Sequence, residues 1–150
     1  MSEWLILNEP ELEKVDPGES RQVKGVLVHV FMSPYDVPQA VRGRYDDERE
    51  RFLIEFRYIG DEPIERREQD RHLALHVGKN SGRLYGVEID VDTLRADLVA
   101  LEMHIDQSHL FKSLSKAASS ASGRPTEKNY RAVRNVISLK KDRLFAGLAG

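Results

Sequence analysis

The chain has 150 residues, 40% of them hydrophobic, which is enough apolar material for the core of about one domain. Its 23 Lys and Arg residues nearly balance its 25 Asp and Glu residues, so the composition excludes a uniformly basic nucleic-acid binder and a uniformly acidic disordered chain. Because it has no cysteine, it has no disulfide scaffold, thiolate zinc site or cysteine nucleophile. We expect a soluble, cytoplasmic protein without a signal peptide, since the N-terminus is acidic and no apolar run approaches the roughly 20 residues that span a bilayer.

The charge is unevenly distributed along the chain. Residues 1–20 carry a net charge of −5, residues 108–150 carry +7, and the segment between them carries −4. An acidic head and a basic tail can attract each other within one chain or between two chains, and they can also serve separate partners. The more common interpretation is solvated charge scattered over exposed faces.

The first ninety residues are typical of β-structure. Residues 4–7 form a short apolar run that stops at Asn8. Residues 23–32 are rich in valine and apolar on both faces, which predicts a strand that is central or covered on both sides. Residues 51–59 alternate, with Phe52, Ile54, Phe56 and Tyr58 on one face, which predicts a strand with one face in the core. Residues 64–69 are highly charged and, if a strand, lie at an edge.

Residues 72–77 and 84–89 form the clearest predicted hairpin. The tip contains Asn80, Ser81 and Gly82, residues that tolerate the positive φ angles of hairpin loops. The expected facing pairs are Val77 with Leu84, Leu75 with Gly86, His76 with Tyr85, and Ala74 with Val87.

After residue 89 the apolar period becomes helical. Asp92 is a suitable N-cap for a helix that begins at Thr93. We therefore predict a sheet domain with its first helix over residues 1–112. Residues 113–125 are rich in serine and alanine and predict a linker or hinge, and residues 126–148 predict an amphipathic, basic helix.

Two segments carry a resemblance to a known family. They are Tyr45-Asp46-Asp47 before a strand, and Gly82-Arg83-Leu84-Tyr85-Gly86-Val87-Glu88-Ile89. Together they resemble a family of short bacterial proteins known as a domain of unknown function, over residues 41–92. The resemblance implies a compact antiparallel meander that opens with the Tyr-Asp turn and closes with the Gly-x-Leu-x-Gly-x-Glu-Ile strand. It implies no established activity, although some members look like partners in toxin–antitoxin-type gene pairs. This chain is longer, with strands before and helices after the matching segment.

The strongest candidate for a metal site is an acidic cluster with one histidine. The weak candidate ligands are Glu88, Asp90, Asp92 and His76. Three carboxylates within five residues supply the oxygen ligands that a hard cation such as Mg²⁺ accepts. The more common interpretation is that Asp92 caps the helix and that solvent or an arginine satisfies the other two.

No catalytic residue set is predicted, and no cofactor is expected. The chain has no Gly-x-Ser-x-Gly elbow, and residues 78–82 lack the residue order and the strand–loop–helix context of a phosphate-binding loop. A hairpin tip accounts for those five residues.

The basic C-terminal helix offers two kinds of contact. The candidates for binding nucleic acid or another partner are Lys128, Arg131, Arg134, Lys140 and Lys141. The apolar positions on one side predict an oligomer interface and are Tyr130, Val133, Ile137, Leu144 and Leu148. A solvated helix whose lysine stems cover its apolar edge is an equally good interpretation.

These patterns predict an α+β fold with a mostly antiparallel sheet followed by two or three C-terminal helices. We expect a non-enzymatic interaction module that acts as a homo-oligomer, with no membrane contact. The alternatives are a nucleic-acid-binding, antitoxin-like regulator that uses the basic helix, and a metal-dependent hydrolase that uses the acidic cluster.

Overall fold

The structure of the chain is a computed structural model that describes residues 3–46, 48–69, 71, 73–90, 109–120 and 124–149. Its strands are β1 (Leu5–Ile6), β2 (Glu19–Val23), β3 (Val26–Val30), β4 (Ala40–Asp46), β5 (Arg51–Arg57), β6 (Ile64–Glu68), β7 (Leu73–Gly78) and β8 (Leu84–Asp90). Its helices are α1 (Glu9–Val15), α2 (His109–Ser120) and α3 (Arg124–Ala149), with a 3-10 turn at Pro34–Asp36.

The described residues confirm the predicted α+β fold. Six strands form an antiparallel sheet in the order β1-β4-β5-β8-β7-β6, and β2 and β3 form a separate hairpin. The charged strand β6 lies at an edge of the sheet, as its composition predicts. Charged side chains suit an edge because they discourage pairing with another chain.

The inner face of the sheet is the face on which α3 packs. The alternating residues Phe52, Ile54 and Phe56 of β5 are buried there, as predicted. In the register, Phe52 faces Ile89 and Ile54 faces Val87, so β5 and β8 present one continuous apolar layer. Burial of this layer against α3 supplies the main favourable free energy of folding.

The hairpin of β7 and β8 contains a β-bulge that shifts its register by one residue. Val77 faces Leu84, as predicted. Beyond the bulge the predicted pairs are wrong, because Tyr85 is an extra residue on β8. The observed pairs there are His76 with Gly86, Leu75 with Val87, and Ala74 with Glu88. The outer face of the sheet therefore carries both His76 and Glu88.

The predicted linker over residues 113–125 is wrong over residues 113–120, which belong to α2. Leu114 and Ala118 are buried on one side of this helix. The hydroxyl of Ser119 donates to the carbonyl of Ser115 one turn earlier, so the serine is satisfied within the helix. Residues 121–123 lie outside the described residues, as do residues 91–108 with Asp92 and the helix predicted from Thr93.

The apolar side of α3 packs on the chain's own sheet. Four residues of the predicted oligomer interface are buried in the core, namely Tyr130, Val133, Ile137 and Leu144. These four side chains are covered within the chain itself, because α3 packs against α2, α1, β4 and β8. The side chain of Leu148 lies outside the described residues.

Candidate interaction surface

The hairpin of β2 and β3 exposes a set of large apolar side chains, which we call the hairpin patch: Val23, Val26, Leu27, Val28 and Phe31. Their exposed fractions range from 39% to 70%, with Leu27 the most exposed. The prediction that this valine-rich segment is a strand either central or covered on both sides is wrong, because β3 pairs only with β2 among the described residues and its side chains are exposed. A sequence pattern reports that both faces are apolar, but it does not report what covers them.

The hairpin is built by a tight two-residue turn at Lys24 and Gly25. Their φ angles are 51° and 80°, the left-handed values that a type I′ turn requires. The turn sets Val23 opposite Val26, and the register then continues to Glu19 opposite Val30. One face therefore carries Val23, Val26 and Val28, and the other carries Leu27 and Phe31.

The base of the hairpin is held to the body of the protein by polar contacts. Nζ of Lys128 in α3 lies 3.1 Å from a carboxylate oxygen of Glu19. The carboxylate of Asp16 accepts from the backbone amides of Gly18 at 3.0 Å and Met32 at 3.2 Å. These contacts fix where the hairpin leaves the body, so the exposed strands project from an anchored base.

The face with Leu27 also carries an aromatic pair. The rings of His29 and Phe31 meet edge to face, with their centroids 4.4 Å apart. Nδ1 of His29 lies 3.2 Å from the hydroxyl of Ser20 on β2. These contacts order the exposed side chains, and an ordered apolar surface loses less conformational entropy when it binds.

Two of the weak candidates for metal binding, Glu88 and His76, lie together in an ion-pair cluster. The bulge brings His76 to the outer face, where its Nε2 lies 2.6 Å from Oε2 of Glu88. Arg66 Nε and Arg49 Nη1 lie 2.6 Å and 3.1 Å from the same oxygen. The two guanidinium groups therefore already balance the charge of this carboxylate. The described residues contain no group of three side chains able to hold a metal ion.

Glu88 is only 1% exposed, and its surroundings decide its protonation. Burial by itself raises the pKa of the carboxyl, but the hydrogen bonds from Arg66 and His76 outweigh burial and hold the pKa below its usual value. Asp90 is partly buried at the end of β8, and Asp92 lies outside the described residues.

Residues 78–82 form a hairpin loop whose amides are already used. The carboxylate of Glu62 accepts from the amides of Asn80 and Ser81, both at 2.9 Å, and from the Ser81 hydroxyl at 2.6 Å. The Glu62 carboxylate thus takes the hydrogen bonds that a phosphate-binding loop would give to a bound phosphate. Burial raises the pKa of Glu62, and the hydrogen bonds from Ser81 and Asn80 lower it further than burial raises it. The prediction that the loop is a hairpin tip is confirmed.

The basic residues predicted to bind a partner fall into two groups in the structure. Lys128 pairs with Glu19, and Nζ of Lys140 lies 2.6 Å from Oε2 of Glu11 in α1. Arg131 and Arg134 are exposed; Arg131 pairs with Glu127 one turn away, and Arg134 donates to Ser115 of α2. Lys141 is partly buried on the same helix. The acidic head and the basic tail therefore meet within one chain.

A cleft of about 400 Å³ lies between the loop of residues 78–82 and the start of α3. Arg67, Lys79, Thr126 and Tyr130 are among the residues that line it. Thr126 Oγ1 would lie 3.0 Å from a Cβ at position 82, so the glycine permits the close approach of α3 to the loop. The cleft therefore lies where the loop of residues 78–82 packs against the start of α3.

We compared the chain with protein-family models, curated proteins and solved structures, and nothing in any of the three matches it. Within the described part of the chain, no helix combines the length and the apolar character needed to cross a bilayer.

Proposed function

We propose that the protein is a non-enzymatic interaction module that binds its partner through the hairpin patch. The observation that carries the proposal is the exposure of five large apolar side chains on one anchored hairpin. Together they leave on the order of 500 Å² of apolar surface in water, divided between the two faces of the hairpin, and exposed apolar patches of a few hundred Å² often mark interaction sites.

The architecture of the hairpin supports the same proposal. A two-stranded hairpin is marginally stable in water and normally needs a third strand or a packed face. Among the described residues, α3 and the loop before β2 reach the base of the hairpin with polar contacts, through Glu19 and Asp16. A partner that covers the strands would bury their apolar area, and this burial would stabilise the complex by roughly 25 cal/mol per Å². Partner binding therefore accounts for the exposed apolar side chains.

The charged clusters favour a binding role over a catalytic one. The carboxylates of Glu88 and Glu62 are engaged by arginines and amides of the same chain, so they are stabilised in the charged form that holds the fold together. We extend the proposal to the cytoplasm, where a chain without cysteine needs no oxidising environment to fold.

Site-specific photocrosslinking tests the proposal. A benzoylphenylalanine residue at position 27 of the full chain, expressed in its native cells, should give covalent adducts that mass spectrometry can identify. The matched control is the same residue at position 59, because Ile59 is an exposed apolar residue, 57% exposed, in the turn after β5. We expect adducts at position 27 only, and we expect Val26→Asp to abolish them.

Equal adduct yields at positions 27 and 59 would contradict the proposal. The identity of the adduct separates two kinds of partner, since a second copy of this chain doubles the mass of 17.2 kDa and a different protein does not.

A further inference from the structure

We infer that β3 pairs with β3 of a second copy of this chain, about a two-fold axis that passes beside Val28. The inference rests on the proposed function and names the partner of the hairpin patch. It would join two hairpins into one four-stranded antiparallel sheet, in which β2 strands are outermost.

The free edge of β3 presents backbone groups that suit this pairing. In a hairpin with a two-residue turn, the residues that flank the turn exchange both backbone hydrogen bonds, and every second pair does the same. The register therefore directs the N–H and C=O groups of Val26, Val28 and Val30 to β2. The groups of Leu27 and His29 point to the opposite edge, which is unpaired among the described residues.

A single register brings all five residues of β3 into the pairing. If Val28 faces the partner's Val28, then Leu27 faces the partner's His29, and the backbone groups of these two residues point at each other. Each Leu27–His29 pair exchanges two hydrogen bonds, which gives four across the axis. Val28 lies in a non-hydrogen-bonded pair, in which facing Cα atoms are about 4.5 Å apart.

The charge pattern favours a second copy over an unrelated partner. Residues 25–34 contain no Asp, Glu, Lys or Arg, so the strand can face itself without like-charge repulsion. By contrast, β2 carries Glu19 and Arg21, and the edge strand β6 carries four charged residues, which is the usual protection against pairing. An isologous contact of this kind closes as a dimer, and the outer edges of its sheet are then the two β2 strands with their charged residues.

Edge-to-edge pairing brings the side chains of the two β3 strands side by side and leaves Val23, on β2, outside the contact. The side chains on one face would form a row of valines from the two chains, and β-branched side chains pack well on such a surface.

A cysteine at the axis tests the register directly. The chain has no native cysteine, so Val28→Cys places a single thiol on each copy. Facing residues of a non-hydrogen-bonded pair are close enough for a disulfide, so mild oxidation should convert the variant into a covalent dimer. The matched control is Val23→Cys, on the same face of the hairpin but on β2, which we expect to remain monomeric on denaturing gels.

Charge substitution at the same position gives a second measurement. Val28→Lys and Val28→Glu each place like charges opposite each other at the axis. Each variant alone should therefore sediment as a monomer of 17.2 kDa. The wild type, and an equimolar mixture of the two variants, should sediment at twice that mass. Val23→Lys should leave the dimer intact. Because Val28 is partly exposed, circular dichroism should show that the variants are folded.

A wild-type chain that sediments as a monomer at tens of micromolar would overturn the inference, as would equal disulfide formation by Val28→Cys and Val23→Cys. If position 27 then crosslinks to a different protein, the proposed function still holds and only the self-pairing fails. If position 27 crosslinks to nothing, both fail.

Discussion

At the scale of single residues, Glu88 shows how a bulge of one residue decides the chemistry of a sheet face. Without the bulge, His76 would face Tyr85 and would lie on the face opposite Glu88. With it, His76, Arg66 and Arg49 all reach one carboxylate, and Glu88 is the most buried charged side chain of the described residues. The acidic run at residues 88–92 was predictable as a site of charge, but its partners were not, because a bulge leaves no clear mark in the sequence.

We expect Glu88→Gln to destabilise the protein by about 2 kcal/mol, because it leaves three cationic or polar partners without their carboxylate. The figure is below that for a fully buried pair, since Arg49 and Arg66 are partly exposed and solvent screens them. Urea unfolding at pH 7 measures the change. Glu68→Gln is the matched control, because Glu68 also pairs with Arg66 but is 61% exposed, and we expect little or no change.

The stability difference between the wild type and Glu88→Gln should also depend on pH, in a direction that the pKa of Glu88 determines. Since the folded-state pKa of Glu88 lies below its usual value of 4.5, the charged carboxylate stabilises the fold fully above that pH. The contribution is lost as the pH falls through the folded-state pKa. The stability difference between the wild type and Glu88→Gln should therefore shrink below pH 4.5, and a constant difference down to pH 3 would assign the effect of Glu88 to packing.

At the scale of elements, α3 is joined to the sheet by one buried asparagine. Asn129 is fully buried, donates to the carbonyl of Asp36 at 2.7 Å and to the hydroxyl of Tyr58 at 2.9 Å, and accepts from the amide of Leu84 at 2.8 Å. Tyr58 donates in turn to the carbonyl of Leu84, and burial raises the pKa of its hydroxyl. A satisfied polar network of this kind fixes the position of the helix as well as its depth.

Asn129→Ala should cost about 3 kcal/mol, because it removes three hydrogen bonds of a fully buried side chain and leaves the Leu84 amide without its acceptor. The matched control is Asn135→Ala on the same helix, whose side chain is partly buried and reaches the Val15 carbonyl at 3.4 Å. We expect a loss below about 1 kcal/mol there. Denaturant midpoints report both variants, and equal losses would show that Asn129 contributes little beyond its packing volume.

The sequence predicts an element best when the element's own residue pattern determines its structure, without reference to what covers it. The alternating β5 and the amphipathic α3 each have one buried side, the hairpin tip at residues 80–82 follows from its local turn residues, and the structure has all three as predicted. The helix α1 was missed because Pro10 suggests a break, although proline suits a first turn and Asn8 and Glu11 form a capping box. The strand β3 was placed in the core because an apolar strand looks the same whether its own chain or another chain covers it.

At the scale of the whole molecule, the near-zero net charge hides a contact between opposite ends. The helix α1 from the acidic head packs against α3 from the basic tail, and ion pairs join Glu11 to Lys140 and Glu19 to Lys128. Hydrogen bonding from Lys140 lowers the pKa of Glu11, and hydrogen bonding from Arg21 and Lys128 lowers that of Glu19. Two of the lysines proposed to meet phosphates are thus committed to the fold.

A charge swap tests whether the contact between α1 and α3 depends on the opposite charges of Glu11 and Lys140. Lys140→Glu places a carboxylate beside Glu11 and should lower the melting temperature, and Glu11→Lys should do the same by pairing two ammonium groups. The double variant restores opposite charges at the same two positions. Because it and Glu11→Lys both lack the capping-box hydrogen bond of Glu11, the double variant should melt above Glu11→Lys. Lys141→Glu is the control on the adjacent position, because no ion pair of the described residues includes Lys141.

The difference in melting temperature between the single and double variants should narrow in 1 M salt, where the screening length is about 3 Å. A double variant no more stable than Glu11→Lys would mean that the Glu11–Lys140 ion pair contributes nothing to holding α1 on α3, and would free Lys140 for the partner that its position first suggested.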